Sequence, residues 1–103
     1  MKLRDIFVDT KFTEIAGNTE ITGICIDSRK VQPGNLYVCI EGIQVDGHSY
    51  VAEAVGKGAA AVLHKKGKRG MKDIDVPLVA AEDTRLALAF VCKRFFGDPT
   101  AGM

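Results

Sequence analysis

The sequence predicts an α/β fold, namely a small single-domain mixed sheet with a strand-helix-strand crossover and flanking helices. Its length of 103 residues is that of one domain with a single modest core. Short β-prone apolar runs occur on both sides of a segment with helical character, which is the pattern of a crossover unit. Hydrophobic residues make up 47% of the chain and charged residues 26%, as in ordinary globular proteins.

The first elements are a short helix and a strand. The amino-terminal apolar residues favour a short helix (Leu3, Ile6, Phe7 and Phe12). Residues 21–27 predict a strand because apolar side chains alternate along it. Ile24, Ile26 and Ser28 would share one face, so Ser28 would emerge from the sheet beside Ile26.

The crossover unit spans residues 36–63. Residues 36–40 form a continuous apolar run that predicts a strand buried on both faces. A helix is expected over residues 50–57, with Ser49 as its cap and Gly58 as its stop. Residues 60–63 predict the next strand, which would be parallel to the first and joined by a right-handed connection.

The carboxyl-terminal part predicts a fourth strand and a long helix. Residues 77–80 form the strand, with Pro77 at the first position, where a missing N–H is tolerated. The helix would begin at Asp83 or Thr84 and run to about Phe96. It is apolar almost all round, so we expect it to be well buried. Residues 64–75, rich in lysine and glycine, predict a long exposed loop.

Composition excludes several classes of partner and site. The net charge of +1 gives no field that would gather nucleic acid or an anionic membrane. No apolar stretch approaches the roughly 20 residues of a membrane span, and no secretory signal is present, so we expect a cytoplasmic protein. Three widely spaced cysteines predict buried, reduced thiols. His48 and His64 lack partners at metal-ligand spacing, so no metal site is expected.

Two segments are candidates for a binding site. Residues 41–48, Glu-Gly-Ile-Gln-Val-Asp-Gly-His, connect a predicted strand to a predicted helix, where ligands usually bind in open α/β sheets. Gly42 and Gly47 would let this backbone turn tightly, so that the amides of Ile43, Gln44 and Val45 would meet a base or a phosphate. The alternative is an ordinary connection in which Asp46 and Gly47 make the turn and nothing binds.

The second segment is Asp-Ser-Arg at residues 27–29. The Ser28 hydroxyl is a donor for a phosphate oxygen and Arg29 a source of positive charge, although Asp-Ser is also a good local turn former. The connection from Ser28 to Leu36 is shorter than the dozen or so residues of a parallel crossover. Sheet geometry alone therefore does not place Ser28 near residues 43–45.

These two segments, with Ala-Glu-Ala at 52–54 and Gly-Ala-Ala-Ala-Val at 58–62, resemble the amino-terminal domain of the Mur ligase family. Members of this family build the stem peptide of bacterial peptidoglycan. The resemblance covers residues 3–99. Residues 76–79, 83–87 and 95–100 are more similar to the member that adds the third amino acid than to its sister that adds a D-alanyl dipeptide.

The resemblance implies a substrate and a set of site residues. Residues 1–98 would bind the uridine diphosphate (UDP) end of UDP-N-acetylmuramoyl-L-Ala-D-Glu. Ser28 would contact the diphosphate, while Ile26, Ile43, Gln44 and Val45 would form the uracil and ribose pocket. No catalytic residue is assigned to this chain.

A phosphate-binding loop, G-x-x-x-x-G-K-[ST], occurs nowhere in the sequence, so we expect no catalysis by this chain alone. The resemblance implies that residues 99–103 begin a linker to an ATP-binding domain. The complete enzyme would use ATP and magnesium, with central and carboxyl-terminal domains as partners, and we expect a monomer.

Three alternatives stay open. The first is the same domain of the D-alanyl-D-alanine-adding sister, the second a free-standing sugar-nucleotide-binding module, and the third a small α/β interaction domain whose glycine loop is structural. The third amino acid, diaminopimelate or lysine, is not indicated by these residues.

Overall fold

A computed structural model describes residues 2–6, 13–16, 19–40, 47–66, 74 and 76–96. These residues form five strands, three α-helices and two 3-10 helices. In chain order the elements are α1 (Leu3–Ile6), β1 (Thr13–Ala16), β2 (Gly23–Cys25), a first 3-10 helix (Ser28–Lys30), β3 (Asn35–Val38), a second 3-10 helix (Gly47–Tyr50), α2 (Val51–Gly56), β4 (Ala61–Lys65), β5 (Leu78–Ala81) and α3 (Thr84–Phe96).

The strands form one mixed sheet in the order β1-β5-β4-β3-β2. Strands β2, β3, β4 and β5 are parallel, and β1 lies antiparallel to β5 at one edge. The predicted mixed α/β sheet and the parallel β3-α2-β4 crossover are confirmed. Strand β1 was not predicted, because Thr-Glu-Ile-Ala is too short and too polar to give a strand signal.

The connection from β2 to β3 corrects one expectation. The two strands are parallel, with Ile24 opposite Leu36, although only residues 26–34 join them. A short connection is sufficient because β2 has only three residues, so the chain has little distance to return along the sheet. The connection contains the first 3-10 helix, which is a single turn. Gly34 then turns the chain back with a φ of 91°. The carboxyl ends of β2 and β3 therefore lie at the same edge of the sheet.

Apolar side chains pack on both faces of the sheet. One cluster joins the sheet to α1 and α3, through Leu3, Leu63 and Val91 among others. The other joins it to α2, through Tyr37, Val51 and related residues. The β3 strand contributes to both clusters because successive side chains point to opposite faces.

The helix termini agree with the sequence in part. The predicted Ser49 cap is wrong: Tyr50 occupies the N-cap position of α2 without a side-chain hydrogen bond, since the second 3-10 helix already starts the turn. Gly58 follows the end of α2 with a φ of 105°, as expected for a glycine stop. Asp83 caps α3, its Oδ1 accepting from the backbone N of Arg85 (2.9 Å) and Leu86 (3.2 Å).

Helix α3 is less buried than its composition predicts. Ala87 and Val91 are fully buried, but the Leu86 side chain is 60% exposed. The helix therefore has a buried face and a solvent face rather than apolar surroundings on every side. Leucine lies beside arginine and lysine on the outer face, so the division into a buried and an exposed face is not evident from the sequence.

The expected loop at 64–75 begins later than predicted. His64 and Lys65 belong to β4, and His64 is buried with Nδ1 3.0 Å from the Lys65 carbonyl oxygen. Residues 67–73 and 75 lie outside the described part of the chain.

The three cysteines form no disulfide, and Cys39 is buried whereas Cys25 and Cys92 are half-buried. The described residues include no group of three or more His, Cys, Asp or Glu that could hold a metal ion. No helix within the described ranges is long and apolar enough to cross a membrane.

Candidate functional site

A cleft of about 520 Å³ opens beyond the carboxyl ends of β2 and β3. This is the edge at which ligands usually bind in open α/β sheets. Its walls come from the β2–β3 connection and from the start of α2, and its floor comes from β3. The lining residues are Ile26, Asp27, Ser28, Arg29, Tyr37, Ile40, Tyr50 and Glu53.

The first wall contains two of the five predicted site residues. Ile26 is 55% exposed, so its apolar side chain is available to a ligand, whereas Ser28 is buried at 6% exposure. The structure brings Ile26 and Ser28 together in one cleft. The other three predicted residues, Ile43, Gln44 and Val45, lie outside the described residues.

Asp27 and Arg29 hold the turn that carries Ser28. Asp27 is the N-cap of the first 3-10 helix, and its Oδ1 accepts a hydrogen bond from the backbone N of Arg29 at 2.9 Å. The Arg29 side chain donates to the same carboxylate through Nε at 3.2 Å and Nη2 at 3.1 Å. These hydrogen bonds lower the pKa of Asp27 and raise the pKa of Arg29.

Tyr37 forms the floor of the cleft. Its side chain is buried, and burial raises the pKa of its phenol, with smaller effects from the thiols of Cys39 and Cys25 and the carboxylate of Asp27. The phenol therefore stays protonated at neutral pH. Cys25 lies opposite Tyr37 in the sheet register and its Sγ donates to the Asp27 carbonyl oxygen at 3.0 Å.

The second wall is formed by Tyr50 and Glu53. Tyr50 is 40% exposed, so its ring offers an apolar surface within the cleft. Lys57, one turn after Glu53, donates from Nζ to the Arg29 carbonyl oxygen at 3.0 Å. This bond links the end of α2 to the first 3-10 helix, the two elements that carry the walls.

Sequence reasoning missed four of the lining residues, namely Tyr37, Ile40, Tyr50 and Glu53. The parallel pairing of β2 with β3 brings these four residues into the same cleft as Ser28. This pairing was not predicted because the connection between the two strands is short. Tyr50 and Glu53 follow the glycine loop by only a few residues. Their position in the first turns of a crossover helix, at the ligand-binding edge of the sheet, is the signal that would have found them.

The described residues of the cleft offer hydrogen-bonding groups and apolar surface to a ligand. Asp27 and Arg29 neutralise each other, Glu53 adds a negative charge, and Tyr37 is neutral. Among the described lining residues, an anionic group would therefore meet hydroxyl and backbone N–H donors rather than a cluster of cationic side chains. The exposed apolar surfaces of Ile26 and Tyr50 suit a flat ring.

Residues 20–96 match the family model described as "Mur ligase family, catalytic domain". The chain belongs to the Mur ligase family. Curated relatives of this Mur ligase chain include the UDP-N-acetylmuramoyl-L-alanyl-D-glutamate--2,6-diaminopimelate ligase of Oceanobacillus iheyensis. It is 40% identical over 97% of this chain and 20% of that protein. The ligase of the same name from Halalkalibacterium halodurans is 43% identical over 82% of this chain and 16% of that protein.

Solved structures of Mur ligases share the fold. UDP-N-acetylmuramoylalanyl-D-glutamyl-2,6-diaminopimelate--D-alanyl-D-alanyl ligase from Acinetobacter baumannii superposes with a TM-score of 0.62 at 30% identity, over 74% of this chain and 16% of that one. The MurF ligase from Thermotoga maritima, solved in complex with ADP, gives 0.58 at 26% identity, over 68% and 16%. The chain thus spans about a fifth or less of the length of these relatives.

Proposed function

We propose that this chain is the substrate-anchoring amino-terminal domain of a peptidoglycan-precursor ligase. It binds the UDP moiety of UDP-N-acetylmuramoyl-L-Ala-D-Glu, to which the complete enzyme adds the third amino acid of the stem peptide. One observation carries the proposal: Ile26 and Ser28 meet in a single cleft at the carboxyl ends of β2 and β3. Ile40, which also lines this cleft, directly precedes the segment that contains Ile43, Gln44 and Val45.

The residues of the cleft have separate roles in this proposal. The Ser28 hydroxyl donates a hydrogen bond to a diphosphate oxygen, and the Asp27–Arg29 pair holds the turn that presents it. Ile26 packs against the uracil ring, while Ile43, Gln44 and Val45 complete the pocket with backbone groups. Binding the nucleotide far from the reacting carboxylate contributes to catalysis by positioning that carboxylate.

ATP and magnesium are proposed cofactors of the complete enzyme. The sequence has no G-x-x-x-x-G-K-[ST] loop, and no potential metal-ligand cluster occurs within the described ranges. We assign these groups to further domains, to which residues 99–103 would lead from a domain at 1–98. By itself the chain is expected to be inactive, monomeric and cytoplasmic.

The relatives favour the ligase that adds the third amino acid. The curated relatives from Oceanobacillus iheyensis and Halalkalibacterium halodurans, which are 40% and 43% identical to this chain, are both named as diaminopimelate ligases. A protein that contains this chain followed by an ATP-binding domain should therefore consume UDP-N-acetylmuramoyl dipeptide and leave the tripeptide unused. Preference for the tripeptide would assign it to the sister enzyme instead.

Calorimetric titration tests the binding function directly. UDP and UDP-N-acetylmuramoyl dipeptide should bind this chain at one site, and ADP should bind at least tenfold more weakly because the cleft is expected to recognise uracil, a difference of about 1.4 kcal/mol. Absence of heat with both uridine ligands at millimolar concentration would favour the small interaction domain. Equal binding of ADP would contradict a uridine pocket.

A further inference from the structure

Among the described residues, two carboxylates line the cleft, and they differ in the hydrogen bonds and ion pairs that they already make. Asp27 accepts three hydrogen bonds from Arg29, at 2.9, 3.2 and 3.1 Å. Glu53 has Lys57 Nζ at 3.8 Å from its Oε1, and its side chain is 41% exposed. A separation of 3.8 Å exceeds hydrogen-bond distance, so this contact is a weak surface ion pair.

Lys57 is bonded elsewhere. Its Nζ donates to the Arg29 carbonyl oxygen at 3.0 Å, which is the shorter of its two contacts. Glu53 therefore presents a carboxylate with acceptor capacity to the cleft.

A carboxylate in a nucleotide cleft selects which part of the nucleotide lies beside it. It repels phosphate groups, and it accepts hydrogen bonds from hydroxyl groups. The ribose 2′ and 3′ hydroxyls are neutral donors, and recognition of a ribose hydroxyl by an acidic side chain is a recurrent solution in nucleotide sites. Ser28, on the other wall, remains the donor for the diphosphate.

We propose that Glu53 is a specificity-determining residue that accepts a hydrogen bond from the ribose 2′ hydroxyl. The inference rests on the proposed UDP-binding function and makes it more specific. The cleft selects ribonucleotides over 2′-deoxyribonucleotides, and Glu53 fixes the orientation of the nucleotide with its phosphates toward Ser28.

The test compares UDP with 2′-deoxy-UDP by calorimetry on the chain, on Glu53→Gln and on Glu82→Gln. Glu82 is exposed and lies outside this cleft, so its substitution matches the change in charge. The ratio of the two dissociation constants is the readout, because effects on helix stability or on phosphate repulsion apply to both ligands. Unchanged amide spectra establish that each variant is folded.

The unsubstituted chain and Glu82→Gln should bind 2′-deoxy-UDP about tenfold more weakly than UDP, as expected for a hydrogen bond to a charged group. In Glu53→Gln the ratio should fall to about twofold, because a neutral amide is a weaker acceptor. Equal affinities in the unsubstituted chain would overturn the role of Glu53 and leave UDP binding intact. An unchanged ratio in Glu53→Gln would also overturn it. Binding of neither nucleotide would reject the proposed function as well.

Discussion

Asp27 accepts three hydrogen bonds from Arg29, one from the backbone N and two from the guanidinium. Asp27 caps the first 3-10 helix, and its ion pair with Arg29 lies in the lining of the cleft. The sequence suggested Arg29 as a source of charge for a phosphate. In the structure its charge is balanced by Asp27, so Arg29 is better described as a residue that positions the turn.

The Asp27–Arg29 pair predicts a pH dependence of stability at acid pH. Hydrogen bonds from Arg29 place the pKa of Asp27 below its ordinary value of 3.8. A lowered pKa means that the folded state favours the carboxylate, so the stabilisation is present above pH 3.8 and is lost as pH falls through the folded-state pKa.

An NMR titration of the Asp27 carboxyl carbon measures this pKa. In Arg29→Gln it should rise toward 3.8, because the side-chain hydrogen bonds and the positive charge are both removed. Lys30→Gln is the control, since Lys30 makes the smallest contribution to lowering the pKa of Asp27. A titration midpoint at or above 3.8 in the unsubstituted chain would show that Arg29 does not stabilise the Asp27 carboxylate.

Ser28→Ala should weaken UDP binding about tenfold, because the diphosphate loses a hydrogen bond to a charged acceptor. Ser49→Ala is the matched control: Ser49 is exposed and does not line the cleft. Calorimetry on the two variants separates the roles. Equal losses in both variants would mean that the effect is not specific to the cleft.

Gly58→Ala should destabilise the fold by about 2 kcal/mol or more, since alanine is strained at a positive φ and its Cβ would press on a backbone atom. Gly58 has a φ of 105°, and a Cβ there would lie 2.9 Å from Pro33 Cα. Gly56→Ala is the control, because a Cβ at Gly56 meets nothing within 4 Å. This control should be neutral or stabilising by up to about 1 kcal/mol.

Urea denaturation measures both glycine variants. Because Gly34 N donates to the Gly58 carbonyl oxygen at 3.0 Å, strain at Gly58 also disturbs the connection that leads from the cleft to β3. UDP affinity should therefore fall in Gly58→Ala and stay unchanged in Gly56→Ala. A Gly58→Ala variant as stable as the unsubstituted chain would show that this close approach is not required.

Leu63→Ala should cost about 2–5 kcal/mol of unfolding free energy, the range for deleting a large apolar side chain from a core. Leu63 is fully buried in the centre of the sheet, between β3 and β5. Leu86→Ala should change the unfolding free energy by about 0.5 kcal/mol or less, because the Leu86 side chain is 60% exposed. Similar losses in the two variants would contradict the assigned solvent face of α3.

The sequence predicted the elements whose signal is local. Alternating or continuous apolar runs revealed β2 to β5. The start of α3 was predicted at Asp83 or Thr84, and the stop of α2 at Gly58. Elements that depend on tertiary context were missed. The four residues of β1 form a strand only by pairing with β5, and the start of α2 depends on a preceding 3-10 helix rather than on Ser49.

The candidate site was predictable only in part for the same reason. Ile26 and Ser28 were identified through the resemblance to the family, and the structure places them in one cleft. Tyr50 and Glu53 lie in the site because β2 and β3 are parallel. The short connection between these strands made a parallel arrangement improbable from the sequence alone. Ile43, Gln44 and Val45 remain predictions.

The central claim is that the cleft at the carboxyl ends of β2 and β3 binds UDP. The most direct measurement is an NMR titration of the isotope-labelled chain with UDP, following the backbone amides. We predict that shifts cluster at residues 26–29, 43–45, 50 and 53, and that they disappear in Ser28→Ala. Shifts confined to the separate hollow at Lys65 and residues 82–85, or no shift at millimolar UDP, would contradict it.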